Sequence, residues 1–119
     1  MKENIIQQKS YAFAIKIIEL YKYLVGTKKE YILFKQLLKS GTSIGANIEE
    51  ALGGQSKKDF ISKLSIAYKE ARETKYWLSL LREAKYMTQN ELSTIFDDCE
   101  EILKIIGKIQ KTSRENSEI

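Results

Sequence analysis

Glu70 and Glu73 stand three residues apart in the stretch Lys69-Glu70-Ala71-Arg72-Glu73-Thr74-Lys75. Carboxylates at that spacing share a helix face and can do acid–base work or hold a metal. In ferritin-like bundles the metal site also needs a Glu-x-x-His pair. This chain has no histidine, so that pattern cannot be completed. Solvated i,i+4 ion pairs with Lys69, Arg72 and Lys75 are the expected use of these charges. The missing histidine also removes the usual general base near neutral pH, the Ser–His and Cys–His dyads and most zinc sites. The single cysteine, Cys99, excludes an internal disulfide and a cysteine-cluster metal site. It falls on an apolar stripe, where an inert buried thiol is expected rather than a nucleophile. No catalytic, metal-binding or cofactor-binding residue emerges, and the chain reads as a non-enzyme.

A second candidate lies in residues 38–60, which hold four of the six glycines. A phosphate loop would need G-x-x-x-x-G-K-[ST], and a dinucleotide site G-x-G-x-x-G, each after a strand. Neither motif is present, and no strand precedes the run. Gly41 and Gly45 are spaced i,i+4 on a helix beside Ala46, which suits close packing against another backbone. Each glycine costs up to about 1 kcal/mol of helix propensity, so small size is expected to be used. Asn47, a poor mid-helix residue, is expected to be a buried polar anchor, paired with Glu50 or with a charge on the third helix.

Binding chemistry remains. Net charge is +4, distributed as +5 over residues 1–48, +2 over 49–90 and −3 over 91–119. Lys16, Lys22, Lys28, Lys29, Lys35 and Lys39, with Lys57, Lys58 and Lys63 opening the third helix, could meet phosphates. An oligomer would multiply that charge. The seven tyrosines and one tryptophan exceed what one small core can hold. Tyr68, Tyr76 and Trp77 are expected at a subunit interface, base stacking being the other use of such rings.

These side chains must be positioned by helices. The chain has 119 residues and no proline, a length that suits one domain able to bury a core without staples. Apolar periodicity predicts helices over about 4–25, 28–52, 57–85 and 89–112, with a frayed tail at 113–119. Gly26 is the expected stop of the first helix and Thr27 the cap of the second, with Glu30 as its partner. Gly53-Gly54 ends the second helix, Ser56 caps the third, and Thr88 with Glu91 forms a capping box for the fourth. Phe60, Leu64, Ala67, Ala71, Thr74, Leu78 and Leu81 make a heptad-like seam, which predicts near-antiparallel packing. The expected fold is all-α: one up-down-up-down antiparallel four-helix bundle. No apolar run is long enough for a signal peptide or a membrane span, and a cytoplasmic protein is expected.

The pattern of Ser43 to Glu50, then Ser56 to Phe60, then Lys69 to Leu78 resembles that of the four-helix bundle proteins known as 23S rRNA-intervening-sequence proteins. The likeness covers about residues 11–112. Many members carry proline where Gly45 stands. The resemblance implies a bundle that assembles as a homo-oligomer, with five-fold rings among related proteins. Some members are encoded within insertions in large-subunit rRNA genes. A similar bundle, the accessory variability determinant of diversity-generating retroelements, forms a basic pentamer that contacts a reverse transcriptase and nucleic acid. Expected partners are therefore other copies of the chain, RNA or DNA, and a protein such as a reverse transcriptase; no membrane is expected. The family implies no catalytic residues.

Overall fold

The computed structural model describes residues 4–117, which form four helices and no strand. They are α1 (Ile5–Lys28), α2 (Ile32–Leu52), α3 (Lys57–Glu83) and α4 (Gln89–Ser117). The connections at 29–31, 53–56 and 84–88 are too short for anything but reversal, so successive helices run antiparallel. Each helix packs on its chain neighbours, α4 closes more loosely on α1, and among the described residues no backbones come close across the diagonals. This is the expected four-helix bundle. No described helix is long and apolar enough to cross a membrane.

The core lies where the four apolar stripes meet. Along α3, Leu64, Ala67, Ala71, Thr74, Leu78 and Leu81 are all buried, with Phe60 packed half-buried at the end of the seam. The small residues Ala67 and Ala71 let larger side chains of the neighbouring helices fill the layer. Opposite them stand Phe13, Ile17 and Leu24 of α1, Phe34, Leu37, Ile44 and Ile48 of α2, and Leu92, Cys99, Ile102 and Ile106 of α4. Each fully buried large side chain contributes about 1.5–3 kcal/mol relative to exposure.

The helix ends follow local chemistry, with corrections. Ser56 Oγ accepts from the Asp59 amide at 3.0 Å. Thr88 and Glu91 form the reciprocal box, with Thr88 N–H donating to Glu91 at 2.9 Å and Glu91 N–H donating to Thr88 Oγ1 at 3.1 Å. Gly26, however, does not stop α1. The helix runs through it to Lys28, and Lys29 takes the left-handed position at φ 55°. Thr27 does not cap α2 but donates to the Tyr23 carbonyl of its own helix at 2.7 Å. Glu30 does that work instead, accepting from the Ile32 and Leu33 amides at 3.1 and 2.9 Å. A glycine tolerated in a helix costs only about 1 kcal/mol, which the buried Leu24 beside it offsets. At the other end α4 continues to Ser117, past the expected end at 112. The rest of the expected tail, 118–119, lies outside the described residues.

Candidate functional site

The glycine run is a packing surface, and its neighbour is α1. A Cβ on Gly41 would lie 2.8 Å from Ile17 Cγ1, and one on Gly45 would lie 3.3 Å from the Ser10 carbonyl oxygen. The two backbones therefore approach where the side chains are missing. Asn47 is not the cross-helix anchor expected: its amide donates to the Ser43 carbonyl of its own helix at 2.8 Å. Glu50 is the residue that reaches α3, pairing with Lys63 at 3.1 Å. The buried polar link between α2 and α3 is Ser40 with Thr74, whose hydroxyls share a hydrogen bond at 3.0 Å. Both are fully buried.

The carboxylates of α3 do not form the expected i,i+4 ion pairs. Glu73 accepts from the Trp77 indole N–H at 3.0 Å. Burial and the adjacent Glu73 raise the Glu70 pKa, against the opposing pull of Lys39 and Lys69. Lys75 pairs instead with Glu100 of α4 at 3.5 Å. Cys99 is buried as expected, and its thiol donates to the Ala71 carbonyl at 3.4 Å. Burial pushes its pKa up to about 12, which suits an inert group.

The nine candidate lysines separate into three groups. Lys16 is engaged with Asp98 at 2.6 Å, Lys63 with Glu50, and Lys39 sits in the field of Glu70. Lys22, Lys28, Lys29 and Lys35 gather at the end of the bundle where α1 turns into α2, exposed around Tyr31 and Ile32. Lys28 helps lower the pKa of Glu91, after the Thr88 amide and the Tyr23 hydroxyl. Lys22, Lys29 and Lys35 form no ion pair among the described residues. Lys57 and Lys58 lie at the opposite end, because α2 carries the chain through 21 residues, about 30 Å, between the two turns. One continuous lysine face is therefore not formed by a single copy.

The aromatic candidates do come together. Tyr76 packs edge-on against Trp77 with ring centroids 5.1 Å apart. Tyr68 and Tyr76 both line the outer groove between α3 and α4, whereas Trp77 is half-buried beside Glu73.

The 23S rRNA-intervening sequence protein model matches residues 2–108 of this chain. The chain belongs to that family. Among solved structures it is similar to a protein of unknown function from the S23 ribosomal protein family of Bacteroides thetaiotaomicron VPI-5482, with 51% identity and a TM-score of 0.87. That match covers 89% of this chain and 98% of the other. No curated protein matches. For this intervening-sequence family member, the reading of the sequence missed the Ser40–Thr74 link, although a threonine in an otherwise apolar seam was the available signal. It also missed the basic side of the α3–α4 groove, where Arg72, Lys75 and Lys104 stand.

Proposed function

We propose that the protein is a non-enzymatic, cytoplasmic homo-oligomer that binds RNA or DNA through lysine-rich surfaces. Binding of this kind is mainly electrostatic and weakly sequence-specific. The observation that carries the reading is the exposed cluster of Lys22, Lys29 and Lys35 at the α1–α2 end, cations with no acidic partner among the described residues. Membership of a family described by its rRNA intervening sequence supports RNA as the first ligand to try. Assembly, a pentamer being what the family resemblance implies, would repeat the cluster around a ring and strengthen a modest monomer charge. Light scattering tests this part: a mass several times the 13.8 kDa of one chain is expected, and a monomer at micromolar concentration would contradict it. Titration of labelled RNA against salt tests the binding.

A second reading is a protein-docking scaffold without nucleic-acid contact, the partner being one such as a reverse transcriptase. It is favoured by the outer face of α1, where Tyr11, Ile15 and Ile18 are exposed at i,i+4,i+7 spacing, an unpartnered apolar stripe of the kind that docks helices. A complex that survives nuclease treatment and is lost in Ile15→Glu would support it.

A further inference from the structure

The outer groove between α3 and α4 carries both halves of a single-strand binding surface. It consists of two adjoining hollows that share Tyr68, Lys75 and Leu103; Arg72 and Tyr76 line one, and Glu100, Lys104 and Gly107 line the other. Tyr68 and Tyr76 are eight residues apart, about 12 Å along one helix face. Tyr76 is 57% exposed, and its ring is braced edge-on by Trp77, which Glu73 holds in turn. A braced, exposed ring loses little freedom when a flat ligand stacks on it.

The charges in the groove are unbalanced. Arg72 and Lys104 form no ion pair among the described residues. The lone carboxylate on the lining, Glu100, reaches Lys75 only at 3.5 Å. Lys75 also lies 5.7 Å from the Phe96 ring centroid, which holds its ammonium at the groove wall. Gly107 lies beside Tyr68, where an added Cβ would meet the ring at ordinary contact distance, 3.8 Å. Three cations against one acid complement a phosphate backbone, and the tyrosines supply π-faces for bases that are not paired. A duplex hides its base faces and would use only the charges.

We infer that this groove binds single-stranded RNA or DNA, with bases stacked on Tyr76 and Tyr68 and phosphates against Arg72, Lys75 and Lys104. The inference rests on the nucleic-acid reading above and adds the strandedness of the ligand and a surface separate from the α1–α2 lysines. The test uses the full chain, a labelled oligouridylate and the same strand annealed to oligoadenylate. Anisotropy at low salt reads affinity, and Trp77, the chain's one tryptophan, reports stacking on its neighbour through its fluorescence. The expected result is tighter binding of the single strand, Trp77 quenching, and a loss of about tenfold in Tyr76→Ala. The pair Arg72→Gln, Lys104→Gln should flatten the salt dependence by about 1.4 in log–log slope. Circular dichroism and light scattering accompany each variant. Wild-type binding that Tyr76→Ala and the Arg72/Lys104 pair leave unchanged overturns the groove and leaves the nucleic-acid reading standing. No wild-type binding of either probe at low salt overturns both. Variants that stay folded but change the oligomeric mass make the groove a contact between copies, and overturn the proposal.

Discussion

At Gly41 a single hydrogen in place of a methyl group decides whether α1 and α2 can meet. Gly41→Ala puts its Cβ within 3 Å of Ile17, and overpacking of that kind costs about 1–3 kcal/mol, partly offset by the gain in helix propensity. Net destabilisation by urea unfolding is expected, and Ile17→Ala, which removes both γ carbons that would clash, should cost less in the Gly41→Ala background than it does alone. Gly26→Ala is the contrasting case. Nothing lies within 4 Å of its added Cβ, so stabilisation of about 0.5–1 kcal/mol is expected. Cys99 makes a pH prediction. Its folded pKa, about 12, stands above that of an unfolded thiol, so the folded chain holds the proton longer. The stability it contributes is complete below the unfolded pKa, about 8.5, and is lost as pH rises toward the folded value. Alkaline unfolding should therefore be less steep in Cys99→Ala, and a thiol reagent at neutral pH should label the native protein only as it opens. That Gly41 and Gly45 were packing glycines was legible from their i,i+4 spacing. Which helix they faced was not, because a stripe of small residues is complementary to any helix.

The elements were legible where periodicity and caps agree. The α3 seam was read nearly residue for residue, because its apolar steps of four and three match one helix face. The Thr88–Glu91 box was read because both of its members are local in sequence. Thr88→Ala is expected to cost about 1 kcal/mol, measured as a shift in the unfolding midpoint. The α1–α2 turn was misread because a glycine suggests a stop, while the energy of a helix end is set by the core residues just before it. Lys29 and Lys85 hold left-handed conformations at φ 55° and 65°, where glycine is free of the Cβ clash. Lys85→Gly is therefore expected to raise the melting temperature, and a fall would show that its side chain is needed. Glu91 is held below the usual carboxylate range first by the Thr88 amide and then by the Tyr23 hydroxyl. Its stabilisation is present above the unfolded carboxylate pKa and is lost as pH falls through the folded value. Glu91→Gln should lack that part of the acid sensitivity. The α1–α4 seam, the looser closure of the ring, is bridged by Lys9–Glu101 at 2.9 Å and Lys16–Asp98 at 2.6 Å. Exposed pairs of this kind contribute at most about 1 kcal/mol each.

Across the whole molecule, charge placement depends on the fold in a way that a count of lysines cannot express. The described residues extend 51 Å along the long axis, and the antiparallel path sends Lys22, Lys29 and Lys35 to one end and Lys57 and Lys58 to the other. Ion pairing withdraws Lys16 and Lys63 from the candidate surface, since their acidic partners are distant in sequence and only folding brings them near. The α3–α4 groove was hidden for the converse reason: α4 is acidic on balance, yet its Lys104 lines the groove with Lys75 of α3. The central claim is that exposed, unpaired lysines bind a nucleic-acid backbone. It is tested most directly by anisotropy of labelled RNA titrated with the wild-type protein and with Lys22→Glu, Lys29→Glu, Lys35→Glu across a series of salt concentrations. Wild-type affinity should fall linearly in log–log form as salt rises, and the triple variant should bind more weakly with a slope smaller by about 2. Absence of binding at low salt, or an affinity that salt leaves unchanged, would contradict the account.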